Sequence, residues 1–285
     1  MARLDSLSIE LITTGKDKCA EEYGKVIDNL QAITLASRLK NTDLSGDPTS
    51  GTLEAKRFTN IKGKPYGTAR AAGKGQAIKA KPVVISIDDD QEYIEEVESK
   101  DLKTYGVNGL IERRSKNHQD AEAVDEDTKF FAEAVNEGNS FSPSAGNLAI
   151  EDEIEEAIQK LTTLKNDFVN GVPRNLVDVV MSEKYYGKLR NKINSIPNSN
   201  GLGQLQQFEE GIFNNTKVFS SVFLPQGINY IVMVRGAVAQ PVMANIYSPE
   251  QIQLSEAIGF GLFTHKGTKA VSEDLIFYNG AVASL

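Results

Sequence analysis

The spacing of apolar residues along the chain predicts a series of amphipathic helices. Apolar positions recur every three or four residues, the period of one helix face, over residues 17–40, 107–136 and 150–168. Shorter helices are predicted over residues 91–102, which follow an acidic run, and over 182–193, where a serine can cap the first turn. The longest segment carries a narrow apolar stripe, typical of a helix that lies across a sheet or against neighbours, formed by Leu110, Ile111, Arg114, His118, Ala121, Val124, Thr128, Phe131 and Val135.

Strands are predicted where β-branched and apolar residues form short runs or alternate with polar ones. Buried strands are expected over residues 176–181, 216–222 and 228–234, and alternation continues through the tail of the chain. Weaker strands over residues 52–59 and 77–87 flank a linker rich in glycine, lysine and alanine. Because that linker lacks the large apolar residues a core needs, we expect an extended, mobile arm unless something docks on it. The elements together predict an α+β protein.

Charge is unevenly distributed over the 285 residues, although the net charge is only −8. Residues 54–81 have a net charge of +7, so the rest of the chain carries −15, with acidic runs at 88–98, 120–137 and 151–156. This distribution indicates contact with an acidic surface, either nucleic acid or the body of a neighbouring copy. A solvated hairpin with chance clustering is the alternative. The basic residues are Lys56, Arg57, Lys62, Lys64, Arg70, Lys74, Lys79 and Lys81.

The sequence carries no pattern typical of a catalytic, cofactor or metal site. The single cysteine, Cys19, excludes an intrachain disulfide framework and a cysteine-based zinc site. The two histidines, His118 and His265, have no ligand or nucleophile motif beside them. The acidic run 88–90 lacks the spacing of a cation loop, and acids at a helix start explain it more simply. We therefore expect no enzymatic activity, no cofactor and no metal.

Targeting and membrane signals are also absent from the sequence. The first residues lack the charged-then-apolar pattern of a signal peptide, and no uncharged apolar run is long enough to span a bilayer. With one cysteine there is no indication of an oxidising compartment, so an intracellular origin is the default expectation and no membrane partner is predicted.

The order of the predicted elements resembles that of the major capsid proteins of tailed bacteriophages, whose Hong Kong 97-type fold also forms encapsulin shells. The resemblance covers nearly the whole chain. Residues 171–191, GVPRNLVDVVMSEKYYGKLRN, are similar to the helix, strand and helix at the start of the family's axial domain. Residues 211–242, GIFNNTKVFSSVFLPQGINYIVMVRGAVAQPV, are similar to the later half of that domain.

This resemblance implies a fold of five consecutive segments. They are an N-terminal arm over residues 1–49, an extension loop over 50–87, a peripheral domain with a long spine helix over 88–148, an axial domain over 149–251, and a return to the peripheral domain over 252–285.

The resemblance also implies a function: a structural subunit that self-assembles into the icosahedral capsid around phage double-stranded DNA. The basic residues of the extension loop would then contact an acidic surface on a neighbouring copy. Electrostatic complementarity of this kind favours orientation and assembly rate more than affinity. The acidic residues proposed for that surface are Glu92, Glu95, Glu96, Asp120, Asp125 and Asp127.

Further partners follow from the resemblance. Copies of the chain would form pentamers and hexamers, meet a portal protein, and enclose DNA without sequence-specific contact, since an acidic chain offers few phosphate contacts. Some relatives begin with a long helical scaffolding region that is removed during maturation, and there is no room for one before the loop. Either a separate scaffolding protein is used or such a region has already been cut away, and Met1 at the start favours the separate scaffolding protein. The subunit would belong to the virion after assembly in the bacterial host cytoplasm.

Two alternatives remain open from the sequence. An encapsulin-like compartment would use the same fold to enclose protein cargo. A soluble binding protein or hydrolase with a basic insertion would instead have a deep pocket with convergent polar groups.

Overall fold

The structure is a computed structural model that describes residues 34–46, 51–61, 63–75, 77–97, 107–146, 148–195, 211–251 and 257–281. Its helices, in chain order, are α1 (Leu35–Leu39), α2 (Thr68–Ala71), α3 (Val107–Glu137), α4 (Ile150–Thr162) and α5 (Glu183–Ser195). Its strands are β1 (Thr52–Phe58), β2 (Ala80–Ser86), β3 (Asp89–Val97), β4 (Asn139–Ser140), β5 (Val177–Ser182), β6 (Gly211–Phe213), β7 (Thr216–Ser221), β8 (Ile228–Val234), β9 (Val238–Ala239), β10 (Val242–Gln251), β11 (Ile258–Lys266), β12 (Lys269–Ala270) and β13 (Ile276–Gly280).

Most of the predicted elements are confirmed. Helix α3 matches its prediction to within one residue, and α5, β5, β7 and β8 lie where the sequence pattern placed them. Helix α4 starts as predicted but ends at Thr162, because the chain then folds into a tight loop in which Gly171 N donates to Leu164 O. Of the predicted helix over 17–40, only α1 falls on described residues, and the remainder lies outside them.

The helix predicted over residues 91–102 is wrong: residues 89–97 form strand β3. This strand pairs with β11 in antiparallel register from Asp89 opposite Lys266 to Val97 opposite Ile258. Glutamate-rich sequence favours helix, but the pairing with a strand more than 160 residues away overrides local propensity. The acidic run 88–90 therefore does not begin a helix, and residues 98–102 lie outside the described part of the chain.

The described residues form two compact units. The first contains the described parts of 1–38, 86–127 and 240–267, and the second those of 39–85, 128–239 and 268–285. The first unit holds an antiparallel sheet in the order β10–β11–β3. Alternate β3 residues, Gln91, Tyr93 and Glu95, make side-chain contacts with α3, whereas Glu92, Ile94 and Glu96 are exposed.

The second unit is built on a six-stranded mixed sheet in the order β4–β13–β8–β5–β7–β6. Strand β5 runs parallel to β7 and antiparallel to β8, and its residues 177–181 are buried. Helices α4 and α5 pack on this sheet, where the ring of Tyr185 lies 6.0 Å from that of the buried Tyr230. The sheet cuts across the segment boundaries implied by the resemblance, because β13 of the return segment pairs with β8 of the axial segment.

Positive φ angles mark two places in this sheet, the β6–β7 turn and the end of β13. Asn214 and Asn215 both have positive φ (47° and 67°) between β6 and β7, as a two-residue hairpin turn requires. Gly280 has φ +128°, and a Cβ added there would lie 2.2 Å from the carbonyl oxygen of Gly227. Any other residue at position 280 would therefore displace the β13–β8 pairing.

The apolar stripe predicted for α3 is only partly buried. His118, Phe131 and Val135 are buried, whereas Ala121, Val124 and Thr128 are exposed. The buried face of the first unit's part of α3 instead carries polar side chains, namely His118, Gln119, Glu122, Glu126 and Asp127. Within the described residues, no helix is both long and apolar enough to cross a membrane.

Candidate assembly surfaces

The extension, residues 52–86, has a base anchored by a few buried side chains and an exposed tip. At its base, strands β1 and β2 pair with each other, and Ala55 and Ile85 pack against Ala239 and Val271 in a small apolar cluster. The β1–β2 pairing ends where the backbone N–H of Thr59 donates to the carbonyl oxygen of Lys79 at 3.0 Å. Beyond this point lies the tip, residues 60–78, whose single regular element is the four-residue helix α2 among its described residues.

One basic residue of the base is held by contacts within its own chain. The guanidinium of Arg57 donates from both terminal nitrogens to the two carboxylate oxygens of Asp274, with Nη2–Oδ2 at 2.9 Å. It also lies 4.5 Å from the ring centroid of Phe168, and Asn166 donates to the same carboxylate. Burial raises the pKa of Asp274, but hydrogen bonds from Arg57 and Asn166 outweigh it and hold that pKa below its usual value.

The tip exposes large apolar side chains. Tyr66 is 99% exposed and Ile78 76% exposed, and Ile61 is likewise open to solvent. Phe58 and Val84, on the strands of the base, are also more than half exposed. Five exposed large apolar side chains therefore lie on this one segment.

The structure divides the eight basic residues assigned to inter-subunit contact. Lys64, Arg70, Lys74 and Lys79 are exposed on or beside the tip. Two others form exposed ion pairs within the chain. Lys56 Nζ lies 3.7 Å from Glu54, and Lys81 Nζ lies 4.0 Å from Glu273. Pairs of this kind are weak and exchange readily. Arg57 is held by Asp274, and Lys62 lies outside the described residues.

The six acidic residues proposed as the partner surface divide equally. Glu92 and Glu96 on β3 and Asp120 on α3 are exposed, as the prediction requires. Glu95 is instead paired with Arg114 and lies 3.1 Å from Nε2 of His118. The other two make internal contacts described below.

Asp127 is not on any surface, which corrects its assignment to the acidic partner surface. Its side chain is buried, and its carboxylate accepts hydrogen bonds from the backbone N–H groups of Leu35 (3.3 Å) and Ala36 (2.8 Å) at the start of α1. Burial raises the pKa of Asp127, and those two hydrogen bonds oppose the rise. The residue therefore anchors α1 to α3.

Asp125 belongs to a buried polar network that the sequence analysis missed. Lys266 is fully buried and binds Glu122 at 2.6 Å as well as Asp125. Tyr93 donates to Glu122 at 2.8 Å and Gln91 donates to Asp125 at 3.2 Å, so the five side chains join β3, α3 and β11. Burial and the neighbouring Glu122 raise the pKa of Tyr93. One signal was available: Lys266 stands at an inward position of an alternating strand.

The histidines and the acidic run have structural partners. His118 is buried, and burial followed by the charge of Arg114 lowers its pKa. His265 Nδ1 lies 2.6 Å from a carboxylate oxygen of Asp90, directly across the β3–β11 pair. In the described part of the chain, no group of three or more histidine, cysteine or acidic side chains is arranged to hold a metal ion.

Neither a protein-family model nor a curated protein sequence matches the chain. Solved structures match it in three dimensions. A chain from Mycobacterium phage Che8 superposes with a TM-score of 0.62 at 20% identity, covering 80% of this chain and 84% of that one. The capsid of the cyanophage P-SCSP1u gives a TM-score of 0.59 at 14% identity, covering 88% of this chain and 89% of that one.

The fold is that of phage capsid proteins. A virus-like particle from Pyrococcus furiosus also matches, with a TM-score of 0.57 at 13% identity, over 91% of this chain and 98% of that one. The predicted fold class is thereby confirmed.

Proposed function

We propose that the chain is a structural subunit of an icosahedral capsid shell, as the capsid fold suggests. The observation that carries the proposal is the extension: its tip exposes Tyr66, Ile61 and Ile78 together with basic side chains, and none of the tip's described side chains is buried. Such a segment gains stability only when a second molecule covers its apolar residues. In a shell, every copy supplies that cover for a neighbour. The role is structural rather than enzymatic.

The partner surface on the second copy is acidic and carries Glu92, Glu96 and Asp120. The exposed bases Lys64, Arg70 and Lys74 complement it in charge. Because these groups are solvent-exposed, their attraction steers the encounter and weakens as salt rises. Burial of the apolar residues of the tip would supply most of the affinity.

Finer features of the assembly follow from the same proposal. Copies would close into rings of five and six, as heterologous contacts that close by rotation do. A separate scaffolding protein, a portal protein and packaged double-stranded DNA would complete a phage particle, with the subunit in the virion after assembly in the bacterial host cytoplasm.

Electron microscopy and light scattering of the purified chain, with and without a candidate scaffolding protein, test the proposal. Closed particles of uniform diameter support it, and a stable monomer at high concentration under both conditions refutes it. The match to a virus-like particle favours an encapsulin-like shell as the second candidate. That candidate predicts uniform particles from the chain alone.

A charge-reversal variant tests the extension itself. Lys64, Arg70 and Lys74 all changed to glutamate should slow assembly at least tenfold while the circular dichroism of the monomer stays unchanged. A matched control reverses three exposed bases on α4 and α5, namely Lys160, Lys184 and Arg190. Both variants change the net charge equally, so equal assembly rates for the two would contradict the role of the tip.

A further inference from the structure

Arg57 differs from the other described basic residues of the extension in how it is held. Its side chain is 15% exposed, and it combines a two-pronged ion pair to Asp274 with stacking over Phe168. Arginine suits this site because its planar guanidinium can fork onto a carboxylate and lie on a ring at once, which lysine cannot do. Lys64 and Arg70, by comparison, are exposed.

The groups that hold Arg57 are themselves fixed. Phe168 belongs to a loop after α4 in which Asn166 Oδ1 accepts hydrogen bonds from the backbone N–H groups of Phe168 (2.9 Å) and Val169 (2.8 Å). Asp274 lies in the short 3₁₀ turn that leads directly into β13 of the six-stranded sheet. The side chain of Arg57 is therefore tied to the most regular part of its unit.

A backbone hydrogen bond continues this attachment toward the tip. Asn60 N donates to Asp167 O at 2.8 Å, three residues along the chain from Arg57. Beyond Asn60, the described residues of the tip are almost all exposed. Arg57, Phe168, Asp274 and the Asn60–Asp167 bond, which we call the clamp, are thus the attachment nearest the tip among the described contacts.

Small rotations at the clamp become large displacements at the tip. With a rise of about 3.3 Å per residue, the chain from Arg57 to Tyr66 spans at most about 30 Å, so a rotation of about 10° at the clamp moves Tyr66 by up to about 5 Å. Residues that must fit a partner tolerate displacements well below that value. The direction of the extension therefore decides which arrangement of copies it can reach.

We propose that Arg57 is a positioning residue whose clamp sets the direction in which the extension leaves its subunit, and that this direction selects the curvature of the shell. The proposal rests on the shell function proposed above. It separates two tasks within one basic segment: Arg57 determines geometry, whereas the exposed bases of the tip determine the rate of assembly.

A distance measurement tests the clamp without assembly. Nitroxide spin labels are attached at Tyr66→Cys and Lys160→Cys in a Cys19→Ser background, and pulsed electron paramagnetic resonance records the distance distribution in dilute, unassembled protein. We expect Arg57→Gln to broaden the distribution at least twofold and Arg70→Gln, the matched control, to leave it unchanged. An unchanged width in Arg57→Gln overturns the clamp.

Particle size tests the second half of the proposal. Arg57→Gln should give particles of mixed diameter or open sheets, whereas Arg70→Gln should slow assembly but keep a uniform diameter. Uniform Arg57→Gln particles of wild-type diameter overturn the selection of curvature. If Arg57→Gln does not fold, Asp274→Asn is used instead, because it removes the negative charge of the Arg57–Asp274 ion pair. The same results are expected for it as for Arg57→Gln. Failure of the wild-type chain to form particles both with and without a scaffolding protein refutes the shell function and this half of the proposal, and the distance measurement still decides the clamp.

Discussion

Replacement of Lys266 by methionine should strongly destabilise the protein, although it puts an apolar side chain into the interior. The ammonium group of Lys266 is fully buried and lies 2.6 Å from the carboxylate of Glu122, which is also fully buried. The substitution keeps most of the side-chain volume, so little of the expected effect arises from a cavity. Its main consequence is that Glu122 and Asp125 lose their shared cation.

The magnitude follows from the burial of the charge that is left behind. Removing one partner of a buried ion pair costs about 3–5 kcal/mol, because the remaining charge has no water to solvate it. Asp125 is 26% exposed at its side chain and can recover some solvation, so Glu122 contributes most of the cost. For a protein of this size the loss corresponds to a fall in melting temperature of roughly 6–20 °C.

Urea unfolding followed by circular dichroism measures the effect, and a second variant identifies its cause. Lys266→Met combined with Glu122→Met removes both fully buried charges and should recover at least half of the lost free energy of unfolding. Lys160→Met on the exposed face of α4 is the control and should change stability by less than about 0.5 kcal/mol. A single Lys266→Met variant within about 1 kcal/mol of wild type, or a double variant no more stable than the single one, would refute the reasoning.

Two further predictions concern the second unit. Arg174 holds the pKa of Glu155 at about 2, so its ion pair should stabilise the fold fully above the ordinary pKa near 4.5 and lose that effect as pH falls toward 2. Urea unfolding across this range should show that Glu155→Gln is less stable than wild type by about 1.5–3 kcal/mol at neutral pH. The difference should vanish toward pH 2. A difference that stays constant with pH would contradict the assignment. Gly280→Ala should lower the free energy of unfolding by about 2–5 kcal/mol because it combines overpacking with a strained φ. Gly63→Ala, with no atom within 4 Å of the added Cβ, should be nearly neutral in the same urea-unfolding assay, and equal effects of the two changes would contradict the prediction.

The sequence predicts well those elements whose hydrophobic pattern is set by residues close together in the chain. The helix over 150–162 carries a period that matches the face it buries, and the strand over 228–234 is a short apolar run buried on both faces. Strand β3 was predicted as a helix because its glutamates favour one, and nothing nearby in sequence reports its partner β11. The apolar stripe predicted for α3 was partly wrong for a related reason. The buried face of α3 holds Glu122, Glu126 and Asp127, and a hydrophobic pattern assigns such acidic residues to the surface.

The candidate assembly surface, likewise, was predictable only where its features depend on the local sequence. Composition alone indicates that residues 60–76 cannot form a core, and the exposed Tyr66 agrees with that expectation. The roles of individual charges were not predictable, because each depends on a residue distant in sequence. Arg57 meets a carboxylate 217 positions away, and Lys266 meets one 144 positions away.

The charged side chains of this chain therefore have three physically different uses, which the net charge of −8 does not show. Lys266 is enclosed with its carboxylates, where removal of one partner costs more than the pair contributes. Arg57 is largely buried at the root of the extension, where in the proposed clamp it would fix a direction. Lys64 and Arg70 are exposed, where the proposed attraction would act on encounter rate and be screened by salt. Because these uses respond differently to ionic strength, raising the salt concentration should slow assembly without changing particle diameter. A diameter that changed with salt would show that the exposed charges also determine geometry, and the separation of tasks between Arg57 and the tip would then fail.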